Sequence, residues 1–272
     1  MKSYWLRFGY FFAVGVAAAI LLEGCSTVPV TGRRQLSLVS SDQEVQLGLT
    51  AFEQLKSTTP ISKDPAANAM VQRVGKRIAA VASKELPDAQ WEFVVFESPE
   101  ANAFCLPGGK VGVYTGLLPI AKDDAGLATV LGHEIGHAVA HHGAERMSEA
   151  VVLQGAGQLV GSAVAAKNPA YVDATMLAWG VGSKVGRELP HDRKQEMEAD
   201  EIGMMYMARA GYDPKAAIDF WERFAAYNKQ KGGQSSFVSR FLSTHPLDEV
   251  RIQHLKELLP KAEAEFAKSK MR

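Results

Sequence analysis

The chain has 272 residues, 47 % apolar and 22 % charged, which suits one domain with a full hydrophobic core. Its formal net charge is zero, so no basic field argues for nucleic acid and no acidic tail for a cationic partner. Two cysteines, Cys25 and Cys105, exclude a disulfide framework.

Residues 1–24 read as a secretory signal. Lys2 and Arg7 give a short positive region, and Phe8 to Leu22 is apolar or small throughout, too short for a comfortable membrane span. Leu22-Glu23-Gly24-Cys25 closes the segment and is similar to a bacterial lipoprotein signal, in which an apolar residue and then small residues precede a Cys that receives lipid after cleavage. Glu23 departs from that pattern, and an ordinary signal peptide or an uncleaved anchor are the other readings. Ser26, following the Cys in place of Asp, implies by the same resemblance sorting to the outer membrane. The expectation is therefore a periplasmic protein, lipid-anchored at Cys25. Cys105 then stands alone and reads as a small packed side chain.

Residues 25–40, with Pro29, Gly32 and two Arg, read as an extended tether before a domain over 41–268. Ser41 and Glu44 form a capping-box pattern that opens a helix to about Lys56. A second amphipathic helix is expected over 67–83, and Trp91 to Phe96 reads as a strand. Pro107-Gly-Gly109 marks a turn, and Val111 to Leu117 reads as another strand. Asp123 or Asp124 caps a helix that should run to about His142. Residues 150–166 carry no charge, three Gly and two Gln, and read as a buried or cleft-covering helix. Further helices are expected near 170–185, 193–210, 214–229 and 247–267, with a flexible loop at 231–236. The fold class is α+β, mostly helical, with a small sheet beside the helix of the motif described next.

That motif is His133-Glu134-Ile135-Gly136-His137. Leu127 to Leu131 before it is apolar in helical register. Two His four apart point the same way on a helix, and two imidazoles on one face can bind one Zn²⁺. Glu134 sits beside them, placed to act as base toward an activated water and not as a ligand. A catalytic zinc takes a third protein ligand from elsewhere. The metzincin pattern needs Gly at 140 and His at 143, where this chain has Ala140 and Gly143. His141 continues the spacing, but a rigid helix cannot wrap three turns around one ion. Glu196-Met-Glu-Ala-Asp200 is the better source: Glu196 and Asp200 share a helical face, and Ala199 and Gly203 would let two helices approach closely. Glu196 is then the third ligand, and Asp200 accepts a hydrogen bond from a ligand His and fixes its tautomer. Glu198 and Glu201 read as solvated. His141, His142, His191 and His254 are given no role.

These segments resemble the HtpX and CAAX-prenyl-protease family of gluzincin zinc metallopeptidases, and most of all its periplasmic lipoprotein branch. Pro29 to Leu36, Asn102-Ala-Phe104, Pro107-Gly-Gly109, Thr115 to Leu118 and Glu196-x-x-Ala199-Asp200 carry the resemblance, which spans roughly residues 28–260. The resemblance implies a zincin-type domain, one Zn²⁺ per chain, and an edge strand near Lys110–Tyr114 that pairs with an extended substrate. It implies too that His245 can fill the fourth zinc position and latch the enzyme. Arg251 either stabilises an oxyanion or braces the loop of His245, and bracing is favoured. The implied function is a zinc endopeptidase of the bacterial cell envelope acting on unfolded or misassembled proteins. The alternative is an envelope chaperone or assembly factor with a latched, weakly proteolytic site.

Overall fold

Apolar residues at helical spacing build most of this chain, and one short sheet interrupts them. The computed structural model describes residues 25–230, 245 and 249–271. Strands β1 (Cys25–Thr27) and β2 (Arg34–Leu36) pair antiparallel as a hairpin, with Cys25 opposite Leu36. Helices α1 (Ser41–Thr58) and α2 (Pro65–Ala82) follow. Strands β3 (Glu92–Phe96), β4 (Ala103–Leu106) and β5 (Lys110–Tyr114) form a sheet in the order β3-β5-β4. A 3₁₀ turn over Thr115–Leu117 and the single turn α3 (Leu118–Ala121) lead into α4 (Asp124–Val139). Next come α5 (His142–Lys167), α6 (Val172–Ser183), a π-helical turn over Lys184–Glu188, α7 (Leu189–Arg209), α8 (Lys215–Gln230) and α9 (Glu249–Ser269). The result is α+β and mostly helical, as expected. The signal segment 1–24 and the loop 231–236 lie outside the described residues.

Local chemistry sets the helix starts. The cap of α1 is Ser40, one residue before the expected Ser41. Its hydroxyl accepts from Gln43 N, and the Gln43 side chain accepts from Ser40 N, so the capping box is Ser40/Gln43. Glu44 is thereby freed to turn inward, where it is buried and takes a hydrogen bond from His141 Nδ1. Asp64 accepts from Ala66 N and Ala67 N at the start of α2, and Asp123 accepts from Gly126 N at the start of α4. Helix α4 stops at Val139 and not at His142. His141 adopts left-handed backbone angles, φ 53° and ψ 34°, which end one helix and redirect the chain into α5.

One core joins the inner faces of these elements. Val71, Val74 and Ile78 of α2, Leu127, Leu131 and Ile135 of α4, and Tyr206, Phe220 and Trp221 are buried within it. Each such side chain contributes about 1.5–3 kcal/mol by leaving water.

Three expectations are corrected here. Strand β5 is central, parallel to β3 and antiparallel to β4, so Lys110–Tyr114 offers no free edge. The edge strands are β3 and β4, and β4 was missed because Ala103–Leu106 is too short to show alternation. Residues 25–40 are no free tether: Val28 and Gln35 are buried, and Arg33 pairs with two acidic residues of the domain. Residues 150–166 are helical but largely exposed, with Val151, Val152 and Leu159 on the surface and Gly157 and Gly161 packed on Trp179 and Met176 of α6. Absence of charge marked that segment as buried, but an uncharged face does not say which way it points.

Candidate metal centre

Helices α4 and α7 lie against each other because small residues face small residues. A Cβ on Gly203 would lie 2.6 Å from His133 N, one on Gly132 2.8 Å from Gly203 O, and one on Gly136 2.9 Å from Ala199 O. The contact brings the inward faces of both helices together, and with them four donors. His133 Nε2 and His137 Nε2 are 3.1 Å apart. Glu196 places Oε2 3.2 Å from His133 Nε2 and Oε1 3.2 Å from His137 Nε2. His245 Nδ1 lies 3.2 Å from His133 Nε2 and 3.2 Å from both Glu196 oxygens. All four side chains are buried, and their donor atoms lie within 4.8 Å of one another.

This donor set fits zinc. Ligands about 2.0–2.1 Å from a tetrahedral Zn²⁺ stand about 3.3 Å apart, close to the spacings found. Two imidazoles and a carboxylate are the ligand types of zinc hydrolases. Without a cation a proton takes its role. Burial opposes charge on His133, but Asp200 and Glu196 outweigh it and raise His133 to about 9. His137 moves well below the usual range, chiefly by burial. Burial also opposes the charge of Glu196, yet the surrounding imidazoles hold it far below the ordinary carboxylate range. A cation releases that proton, so metal binding strengthens as pH rises through the neutral range.

Around the donors sit the residues that aim them. His133 Nδ1 donates to Asp200 Oδ1 at 2.9 Å. Arg251, buried, donates to Asp200 through Nε and Nη2, both at 2.8 Å, and reaches Glu196 Oε2 at 3.0 Å. Its guanidinium also lies 4.6 Å from the ring centroid of Trp221, whose ring meets that of His133 in a T-shaped contact with centroids 5.5 Å apart. Arg251 thus holds the carboxylates of Asp200 and Glu196. Glu134 is buried, and its Oε1 has no hydrogen-bond partner among the described residues; His245 Nε2 stands 3.5 Å away. Burial raises the Glu134 carboxyl above its usual range. Cys105 is a free, partly buried thiol on β4, pushed up by burial and the nearby Glu134 charge, hence an unreactive one.

Sequence reading missed three participants. Glu198 is buried and not solvated: it accepts from Arg33 Nε at 2.7 Å, from the Thr31 hydroxyl and from His142 Nε2 at 2.9 Å. His142 is fully buried and its Nδ1 lies 2.7 Å from His137 Nδ1. His191 meets Glu145 and Glu149, at 3.2 Å each. The only sequence signal for Glu198 was its place two residues from Glu196, which turns it away from the donor cluster toward the other side of α7.

Fold and donor set together define a zinc-dependent metalloendopeptidase. The chain belongs to peptidase family M48, whose family model matches residues 65–259. It is similar to the mitochondrial metalloendopeptidase OMA1 of Schizosaccharomyces pombe, 37 % identical over 239 residues, covering 87 % of this chain and 67 % of the relative. The mitochondrial metalloendopeptidase OMA1 of Saccharomyces cerevisiae is 32 % identical over 271 residues, covering 92 % and 76 %. The beta-barrel assembly-enhancing protease of Escherichia coli is 28 % identical over 242 residues, covering 88 % of this chain and 48 % of the relative. The family part of the sequence resemblance holds; the periplasmic lipoprotein branch is not established by these relatives. The expected location in a bacterial periplasm, at the outer membrane, is overturned: the two more similar of these three relatives are mitochondrial proteins.

Proposed function

We propose that the chain hydrolyses extended stretches of protein, with His133, His137 and Glu196 holding zinc and Glu134 as general base. The convergence of four buried donors beside the unpartnered Oε1 of Glu134 carries this reading. A zinc ion held by His133, His137 and Glu196 would supply Lewis-acid chemistry, polarising a carbonyl and acidifying a water. Glu134 takes the proton of that water on Oε1 and returns it to the leaving amine. Its raised affinity for protons suits a base that must also act as acid. Asp200, through Nδ1 of His133, keeps that ring's Nε2 as a lone pair toward the ion. The outer edge of β4, unpaired among the described residues and next to α4, receives the peptide as an added strand, which straightens it with little regard to sequence.

His245 occupies the position that substrate needs. It acts as a latch that must leave before the carbonyl can enter, with Arg251 bracing the acids behind it. The substrates are unfolded or misassembled proteins, a reading supported by the sequence tolerance of strand addition and by the name of the Escherichia coli relative. A chaperone or assembly factor with a latched, weakly proteolytic site is the less favoured reading, since the relatives this chain is similar to are named as metalloendopeptidases and a protease. Removal of residues 1–24 and lipidation of Cys25 rest on sequence alone, and the intact mass of the mature chain tests them.

The test is casein hydrolysis and zinc content of the full chain with Glu134→Gln beside it. Turnover should fall at least a hundredfold with zinc retained. Full activity of Glu134→Gln contradicts the mechanism. His245→Ala should raise turnover with zinc still bound, and unchanged turnover removes the latch.

A further inference from the structure

The hairpin β1–β2 lies outside the residues matched by the family model, yet an unbroken path of hydrogen bonds joins it to the zinc ligand His137. Arg33 Nε donates to Glu198 Oε2 at 2.7 Å, and the Thr31 hydroxyl donates to Oε1 of the same carboxylate. His142 Nε2 meets Glu198 Oε2 at 2.9 Å, and His142 Nδ1 meets His137 Nδ1 at 2.7 Å. His137 Nε2 is one of the four converging donors.

The order of protons along this path is fixed at both ends. A carboxylate flanked by a guanidinium only accepts, so His142 carries its proton on Nε2 and donates it to Glu198. Nδ1 of His142 is then a lone pair, and the 2.7 Å contact demands that His137 carry its proton on Nδ1. That leaves Nε2 of His137 unprotonated, the form a metal needs. The opposite order, with His142 donating from Nδ1, would place the proton of His137 on Nε2, facing the other donors. The other histidine of the motif is set by an equivalent but shorter arm, in which Arg251 holds Asp200 and Asp200 holds His133 Nδ1.

We propose that Arg33 and Thr31 of the hairpin, acting through Glu198 and His142, are positioning residues for His137: they fix its tautomer and ring orientation and so govern how long zinc stays. The proposal rests on the assignment of His133, His137 and Glu196 as zinc ligands. Arg33 is well placed for this because its guanidinium is anchored on the far side too. Nη1 and Nη2 bind both oxygens of Glu145 at 2.7 and 2.8 Å, while Nε alone serves Glu198. One side chain therefore offers two separable contacts, one on the path to zinc and one off it.

The experiment measures zinc release from the full chain into a chromogenic chelator, together with the melting temperature of the chelator-stripped protein. The variants are His142→Phe, Arg33→Met and Glu145→Gln. His142→Phe, which keeps a buried ring but no hydrogen bonds, should release zinc about 10–100-fold faster. Arg33→Met should release it faster by a smaller factor, partly restored in Arg33→Lys. Glu145→Gln removes the charge and one of the two acceptors from the contact of Arg33 with Glu145, and should lower the melting temperature without changing zinc release. The proposal is overturned if His142→Phe and Arg33→Met release zinc within twofold of wild type. It is overturned equally if Glu145→Gln speeds release as much as Arg33→Met, because the effect is then general loosening. If His142→Phe does not fold, the comparison of Arg33→Met with Glu145→Gln decides alone. A wild-type chain that binds no zinc refutes the ligand assignment itself, a result distinct from failure of the path.

Discussion

His133 must donate its Nδ1 proton to Asp200, because Arg251 occupies both oxygens of that carboxylate and keeps it charged. Burial alone would raise the Asp200 carboxyl; Arg251 and His133 outweigh it and hold it below the usual range. Asp200→Asn keeps the shape but removes the charge that orients the ring. It should weaken zinc binding about 10–100-fold in a competition titration, and an unchanged affinity would show that Asp200 does not orient His133. At this scale the candidate cluster was legible: spacing alone points to His133, Glu134 and His137, the i, i+4 pair points to Glu196 and Asp200, and the fold brings these side chains together. Glu198 was misread because helix periodicity reports only that it faces away from the donors. Its partners Thr31 and Arg33 lie more than 160 positions earlier, where no local pattern reaches. His142 was missed for a related reason: the left-handed turn at His141, which re-aims it toward His137, has no glycine to announce it.

Two helices must touch along their backbones for the ligands to meet. Gly203 lies so close to the start of the His133 motif that any Cβ there forces α4 and α7 apart. Gly203→Ala should therefore cost about 1–3 kcal/mol of stability and loosen zinc as well, since Glu196 sits on one helix and both His on the other. Thermal melting of the stripped protein beside a zinc titration checks this, and a wild-type melting temperature would refute the close contact. The small residues at 199 and 203 were readable as a contact surface. The strand order was not. Both Val111–Leu117 and Trp91–Phe96 show strand character, but which is flanked on both sides depends on β4, four residues with no alternation of their own. Placing the substrate edge on β4 in place of β5 follows from that order.

For the molecule as a whole, buried acids pin the N-terminal hairpin to the domain, and they set a pH limit. Glu145 is held well below the ordinary carboxylate range: burial opposes its charge, but His191, Arg33 and Gln195 outweigh it. Glu198 is lowered likewise, with His142, Thr31 and Arg33 overcoming burial. A depressed folded pKa means that the stabilisation is complete above the unfolded value, about 4.3 for Glu, and is lost as pH falls below it toward the folded value. The melting temperature should therefore drop steeply below about pH 4.5. Glu145→Gln should be less stable near neutrality by about 1–3 kcal/mol and should lose less on acidification. A wild-type and variant that fall in parallel would remove Glu145 from this account. His141 has the opposite sign. Its hydrogen bond to Glu44 raises its pKa, so its contribution is complete below about pH 6.5 and fades as pH rises through the raised value. At this scale the mostly helical class was legible, but the docking of residues 25–40 was not, because a short polar segment betrays its partners only once the fold supplies them.

Whether His133, His137 and Glu196 hold one zinc is decided by the zinc content of the purified full chain, with Glu134→Gln and Glu196→Gln measured in parallel. One zinc per chain in wild type and Glu134→Gln, with most of it lost in Glu196→Gln, is the expected result. No zinc in the wild type, or undiminished zinc in Glu196→Gln, would contradict it.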